Sequence, residues 1–182
     1  GSRTGRLCRA CEAGGSRPYT GHIERQTDGL ALCGMHAINN LLGYQLYTEE
    51  DLHEACNRYL AEKALDNGLE TGEHVHTHYN GAGWFSSEVL ASAFAYAHAM
   101  FGPDTQQHEL MLGGMQDIAE VLSRDEVIGA LQNRSNAHWV AIKKDAGRFF
   151  LLDSCCEPYE LDLEGLRSMT VRYPNTYAVQ SL

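Results

Sequence analysis

The stretch QTDGLALCGMHAINNLL, residues 26–42, decides the fold of this chain. It holds a turn signal at Thr27-Asp28-Gly29 and then apolar residues at helical spacing from Met35 to Leu42. This pattern predicts a buried helix with Cys33 in its first turn. The unpaired backbone N–H groups and the helix dipole there favour a thiolate, which makes such a cysteine a nucleophile. Cys33 can also be a plain small hydrophobic residue, so a partner base is needed to decide.

Two strand-like runs offer a place for that base. Residues 137–142 and 148–153 are rich in β-formers and flank a short Asp/Gly-containing turn, which predicts a β-hairpin. If the turn is centred between Asp145 and Ala146, residues whose numbers sum to 291 face each other. One face of the hairpin is then apolar and able to pack on a helix, through Val140, Ile142, Phe149 and Leu151.

This register places His138 opposite Asp153. Cross-strand neighbours lie about 5 Å apart, close enough for a carboxylate to orient an imidazole. A slip of one residue would put Trp139 opposite Asp153 instead. Singly, a histidine on a strand is often structural and an aspartate after a strand is often a turn residue. The combination with Cys33 is more specific, and it predicts a cysteine hydrolase.

Five groups of residues follow one another in a recognisable order: Gln26; Cys33-x-x-His36-x-x-Asn39-Asn40-Leu41-Leu42; Gly83-Trp84-Phe85-Ser86; His138-Trp139; and Leu152-Asp153-Ser154. This order resembles the Josephin family of deubiquitinating cysteine proteases. The resemblance covers roughly residues 22–182. It implies an α+β, papain-like fold in which the Cys33 helix packs on an antiparallel sheet, with a helical arm insertion at about residues 48–82.

The resemblance also implies a site and a reaction. The site is a triad of Cys33, His138 and Asp153, with Gln26 helping to form the oxyanion hole. The reaction is hydrolysis of the (iso)peptide bond at the C-terminus of ubiquitin, with ubiquitin or polyubiquitin chains as partners and no cofactor. Further candidates for substrate contact are Asp28, Trp84 and Trp139, although a core anchor is the favoured interpretation of Trp84.

Two other functions remain open at this point. A papain-like peptidase or an acyl transferase would keep the fold and the cysteine but act on another substrate. A non-catalytic ubiquitin-binding module would bind ubiquitin without catalysing a reaction. Turnover of peptide or amine substrates but not of ubiquitin would favour the first. Ubiquitin binding that survives Cys33→Ala, with no turnover by the parent protein, would favour the second.

Composition restricts the partners and the compartment. The chain has 182 residues, 14 Lys+Arg and 24 Asp+Glu, for a net charge of −10, which argues against nucleic acid or an acidic membrane surface. No apolar run has the length of a membrane span, and nothing resembles a signal peptide. The six cysteines do not form a secreted disulfide framework. We expect an intracellular monomer in the cytoplasm, the nucleus or, for a pathogen protein, the host cytosol.

The chain divides at about residue 21. Residues 1–21 are expected to be a cloning remnant and a flexible lead, and residues 22–182 one catalytic domain. Cys8-x-x-Cys11 lies in the lead and lacks the second ligand pair that a zinc site needs, so an incidental pair of thiols is favoured. We assign no metal.

Three alternate histidines lie in the stretch 72–81. On an extended strand His74, His76 and His78 would share one face, as transition-metal ligands can. Because the stretch is polar and bounded by glycines, an exposed loop is the favoured interpretation.

The remaining elements follow from periodicity and capping residues. The sequence predicts helices over 48–67, from Ser86 or Ser87 to Gly102, and over 115–122, and strands over 109–112, 127–131 and 176–180.

Overall fold

The fold is built on one antiparallel sheet. The structure, a computed structural model, describes residues 19–26, 32–67, 78–79, 84–113 and 117–182. The strands are β1 (His108–Leu110), β2 (Val127–Arg134), β3 (His138–Asp145), β4 (Arg148–Leu152), β5 (Tyr159–Leu161) and β6 (Thr176–Ser181). They are ordered β1-β6-β2-β3-β4-β5 in one six-stranded sheet. The predicted α+β class is confirmed.

Helices cover the sheet on both faces. They are α1 (Cys33–Leu42), α2 (Glu49–Asn67), α3 (Ser87–Ala95), α4 (Ala97–Phe101), α5 (Ile118–Leu122) and α6 (Leu163–Arg172). The starts of α1 and α2 are as predicted. Thr48 and Asp51 cap α2 reciprocally, because Thr48 N–H donates to Asp51 Oδ2 at 2.8 Å and Asp51 N–H donates to Thr48 Oγ1 at 3.3 Å. None of the helices within the described residues is both long and apolar enough to cross a membrane.

The helix predicted to follow Ser86 is present, but as two segments. Ser86 is the cap, and its hydroxyl accepts a hydrogen bond from the Val89 N–H. The helix is interrupted at Tyr96, whose φ of −91° and ψ of 4° lie outside the α-helical region. It resumes as α4 and ends at Gly102. The prediction of one continuous helix is therefore wrong at a single residue.

The two faces of the sheet carry separate cores. Helix α1 packs against the face that holds Trp139, Ala141, Phe150 and Leu152. The opposite face, with Val140, Ile142 and Leu151, packs against α5 and α6. The apolar hairpin face identified in the sequence therefore packs on helices as predicted, but these are α5 and α6, and α1 packs on the opposite face.

The predicted register of the β3–β4 hairpin is wrong. Asp145 pairs with Arg148 and Ala141 pairs with Leu152, so the turn is centred between Ala146 and Gly147. Both turn residues have positive φ, at 49° and 77°, as a two-residue hairpin turn matching the strand twist requires. Continuing this register places Asp153 across from Val140, diagonal to His138. Both residues lie beyond the last β3–β4 pair, and their side chains still meet at the end of the hairpin, with His138 Nε2 2.7 Å from Asp153 Oδ1.

Gly129 brings α1 close to the sheet. Its φ is +155°, and a Cβ at this position would lie 2.6 Å from Leu41 Cδ1 and 2.1 Å from the Ile142 carbonyl oxygen. A larger residue would push α1 outward or break the β2–β3 pairing. The glycine therefore fixes the distance between the helix that bears Cys33 and the strand that bears His138.

Candidate active site

Cys33 is the first residue of α1 and is 2% exposed. Leu32 precedes it and makes no side-chain capping bond, and the first turn holds no acidic residue among those described. The first N–H groups of a helix have no partner within the helix. They remain available to a negative charge, either on the Cys33 thiolate or on a substrate oxygen beside it.

The hairpin brings His138 and Asp153 together. His138 Nε2 lies 2.7 Å from Asp153 Oδ1, and the Cys155 N–H donates to the same oxygen at 3.0 Å. Asp153 is buried, which by itself would raise its pKa. The hydrogen bonds from His138 and from Cys155 outweigh that burial and lower the pKa of the carboxyl below its ordinary value. Asp153 is therefore held as a carboxylate.

His138 joins this carboxylate to Cys33. The hydrogen bond with Asp153, followed by one with Cys33, raises the pKa of His138 to about 9 despite partial burial of the ring. Since Nε2 is engaged with Asp153, Nδ1 is the ring nitrogen left to exchange a proton with Cys33. The arrangement favours a protonated imidazole at neutral pH.

The neighbour of His138 anchors strand β3. Trp139 is fully buried, and its indole Nε1 donates to the Phe85 carbonyl oxygen at 2.7 Å. This side chain was a candidate for substrate contact, but it presents no exposed surface. It ties β3 to the segment before α3 and so fixes the strand from which His138 projects.

Gln26 lies beside the turn that follows β4. Its backbone N–H donates to the Ser154 carbonyl oxygen at 2.9 Å. Its side-chain Oε1 accepts from Ser154 Oγ at 3.4 Å. The amide oxygen is thus engaged, which leaves the amide NH₂ as the available donor of this side chain. Gln26 and Asp153 are held by the same short turn.

A buried polar cluster ties the segment bearing Gln26 to α1. Glu24 Oε1 lies 2.9 Å from His36 Nδ1 and accepts from Asn39 Nδ2 at 3.1 Å, while the Glu24 N–H donates to Asn40 Oδ1. His36, Asn39 and Asn40 belong to the motif described above, but this role was not predicted for them, and Glu24 was not identified. The available signal was two polar residues, His36 and Asn39, spaced to share one face of an otherwise apolar helix.

Trp84 lies at an open cavity of about 450 Å³. The cavity is lined by residues before and at the start of α3 and by the β2–β3 turn, including Ser87, Glu88 and Asn136. That turn leads directly into His138. Trp84 is partly exposed here and remains a candidate for substrate contact, whereas Asp28 lies outside the described residues.

The sequence-level metal candidates are only partly described. His74, His76 and the Cys8-Cys11 pair lie outside the described residues. His78 is described, and its Nδ1 lies 2.8 Å from the hydroxyl oxygen of Ser86, the residue that caps α3. His78 therefore supports the start of a core helix.

A helix packed on an antiparallel sheet, with a cysteine as its first residue and a His–Asp pair on the sheet, is typical of papain-like folds. The sequence model of the Josephin family matches residues 28–170. Josephin-2 of Homo sapiens is 25% identical over 163 residues, covering 86% of this chain and 82% of that protein. Josephin-2 of Mus musculus is 28% identical over 159 residues, covering 84% and 80% respectively. The chain belongs to the Josephin family, a family of deubiquitinating proteases.

Proposed function

We propose that this protein hydrolyses the (iso)peptide bond at the C-terminus of ubiquitin, with Cys33 as nucleophile, His138 as base and Asp153 as the residue that orients His138. One observation carries the proposal: His138 is hydrogen-bonded to Asp153 at 2.7 Å and has its pKa raised in part by Cys33, in a member of a deubiquitinase family. Separate structural roles for Cys33, His138 and Asp153 would not require the three residues to lie together.

The reaction follows from these contacts. His138 accepts the Cys33 proton at Nδ1, giving a thiolate and an imidazolium that Asp153 holds in orientation. The thiolate attacks the carbonyl carbon of ubiquitin's terminal glycine. The imidazolium then gives its proton to the departing lysine amine, and a thioester remains. Water, deprotonated by His138, attacks the thioester and releases ubiquitin and free Cys33.

The oxyanion of the tetrahedral intermediate needs donors beside Cys33. The Cys33 N–H at the unprotected start of α1 is one, and the Gln26 side-chain NH₂ is the other. Both are held by rigid neighbours: α1 by its packing on the sheet, and Gln26 by its backbone bond to Ser154. Such preorganised donors stabilise charge without reorganising during the reaction.

Gln26→Ala is expected to lower kcat by roughly 10²-fold while KM changes little, because the lost donor meets charge only in the transition state. Steady-state hydrolysis of a ubiquitin C-terminal fluorogenic amide measures both constants. Gln106→Ala, at an exposed glutamine, is the matched control and should behave as the parent protein. A rise in KM with unchanged kcat would place Gln26 on the substrate-binding surface instead.

The substrate class is tested by comparing that ubiquitin amide with an amide of ubiquitin's last few residues alone. We expect turnover of the ubiquitin substrate and little of the peptide, because a folded ubiquitin adds binding surface that the tail lacks. Equal turnover of both would favour a papain-like peptidase. Transfer to an added amine faster than to water would favour an acyl transferase. Binding without turnover would favour a ubiquitin-binding module.

Partners and compartment complete the proposal. A net charge of −10 suits a basic partner surface and disfavours nucleic acid. We propose a monomer that acts on ubiquitin or polyubiquitin chains inside the cell, in the cytoplasm or nucleus. No cofactor enters the reaction as written.

A further inference from the structure

Three metal-ligating side chains meet at the edge of the candidate active site. His138, Asp153 and Cys155 each present one ligand atom, and these atoms lie within 4.8 Å of one another. Two of them are already in contact, since His138 Nε2 lies 2.7 Å from Asp153 Oδ1. Cys155 is exposed, so its thiol can be reached from solvent. An imidazole, a carboxylate and an accessible thiol thus share a small volume.

The turn after β4 holds Cys155 against the other two residues. Its N–H donates to Asp153 Oδ1 at 3.0 Å, which fixes the Cys155 backbone beside the carboxylate. Its Sγ lies 3.8 Å from Gln26 Oε1, a neutral oxygen within reach of a fourth coordination position. Nothing in the proposed reaction uses the Cys155 thiol.

The donor set matches one class of metal ion. Zinc is bound tetrahedrally by thiolate, imidazole and carboxylate groups at about 2.0 to 2.3 Å, so its ligand atoms lie roughly 3 to 4 Å apart. The ligand atoms of the three side chains, all within 4.8 Å of one another, are already close to that spacing. Magnesium and calcium prefer sets made of oxygen alone, which this group is not. We propose that His138, Asp153 and Cys155 bind a zinc-class transition-metal ion, and that the bound ion inhibits the enzyme.

Inhibition follows from the ring nitrogen that the metal takes. The metal would bond to His138 Nε2 and to Cys155 Sγ, each of which loses one proton. It would also bond to the Asp153 carboxylate, in place of the hydrogen bond between His138 and Asp153. The remaining ring proton is on Nδ1, the nitrogen left to exchange a proton with Cys33. To pass that proton on, the metal-bound ring would have to become an imidazolate, which is far less favourable than the step from imidazolium to imidazole. His138 then no longer shuttles protons for Cys33.

Metal binding itself does not depend on the proposed function, whereas the inhibition rests on it. The two parts are therefore tested by separate readouts. Binding is followed by spectroscopy in a protein that cannot turn over, and inhibition is followed by turnover. A protein that proves inactive on ubiquitin would refute the proposed function, and the spectroscopic result would still decide the metal site.

The binding test uses Co²⁺ as a spectroscopic substitute for zinc. The full chain carries Cys8→Ser, Cys11→Ser and Cys33→Ala, which leaves Cys155, its neighbour Cys156 and the buried Cys56 as the remaining thiols. We expect a thiolate-to-cobalt charge-transfer band in the near ultraviolet. Adding Cys155→Ser should abolish the band, and adding Cys156→Ser, the matched neighbour, should preserve it. No band in the starting protein, or a band that survives Cys155→Ser, would overturn the proposal.

The inhibition test titrates Zn²⁺ into the parent, Cys155→Ser and Cys156→Ser proteins, each normalised to its own rate with a chelator present. Loss of a residue that merely supports a ligand costs about 10- to 100-fold in metal affinity, so loss of the Cys155 ligand should raise the half-inhibitory Zn²⁺ concentration at least tenfold. Cys156→Ser should match the parent. Equal inhibition of all three proteins would mean that zinc acts on Cys33 and His138 directly, without the proposed site.

Discussion

Cys33→Ala is expected to abolish turnover of ubiquitin substrates and leave the fold intact. The substitution removes the only atom that attacks the substrate in the proposed reaction, so the remaining groups have no covalent route. The lost sulfur is a small part of a well-packed core, and the free energy of unfolding should fall by only about 1 kcal/mol. Turnover of the ubiquitin amide and thermal unfolding measure the two effects, with a shift in Tm of roughly 2–4 °C at most.

The control for this variant is Cys156→Ala, a cysteine on the turn after β4 that takes no part in the proposed reaction. It should retain the parent rate. Substantial turnover by Cys33→Ala would mean that another group is the nucleophile. Loss of both turnover and cooperative unfolding would show instead that the cysteine is mainly a core residue.

Asp153→Asn is expected to lower kcat/KM by roughly 10²-fold or more. It should also move the basic limb of the pH profile, where kcat/KM falls at high pH, to lower pH. Correct orientation and protonation of a catalytic base contribute about 10² to 10⁴ in rate. The carboxylate is the largest cause of the raised pKa of His138, about 9. Activity of the parent should therefore fall as the pH rises through about 9, where the imidazolium loses its proton. Without the carboxylate, that proton is lost at lower pH.

Rates measured from pH 5 to pH 10 on the ubiquitin amide would show the shift. The His138–Asp153 ion pair also contributes to the free energy of unfolding. That contribution is fully present below the ordinary pKa of histidine and is lost as the pH rises through about 9. Asp145→Asn, at the far end of the same hairpin, is the matched control. A basic limb that stays in place in Asp153→Asn, together with lower stability, would make Asp153 a structural turn residue only.

The sequence was sufficient for the parts of the fold that are set locally. Helix α1 follows from apolar spacing after a turn signal, and α2 from the reciprocal cap of Thr48 and Asp51. The hairpin that bears His138 was predicted, but its register was not. Register depends on which two residues adopt positive φ, and the turn uses Ala146, a residue that seldom does so. The His138–Asp153 contact is present even though the register from which it was predicted is wrong.

The sequence did not predict elements and contacts that depend on residues far apart in the chain. Strand β5 has only three residues and depends on pairing with β4, supported by the Arg148–Glu160 ion pair at 2.6 Å. Helix α6 was also missed, although Asp162 caps it by accepting from the Gly165 N–H at 2.7 Å. The bonds of Glu24 to α1 join residues 12 to 16 positions apart, which periodicity does not reveal.

The most direct measurement is reaction of the protein with ubiquitin whose C-terminus carries a thiol-reactive group. We expect one covalent adduct per chain, lost in Cys33→Ala and greatly slowed in His138→Gln, with the label located on Cys33 by peptide mass analysis. A well-folded parent protein that forms no adduct would contradict the proposal that Cys33 attacks the C-terminus of ubiquitin. An adduct located on Cys155 or Cys156 that persists in Cys33→Ala would contradict it as well.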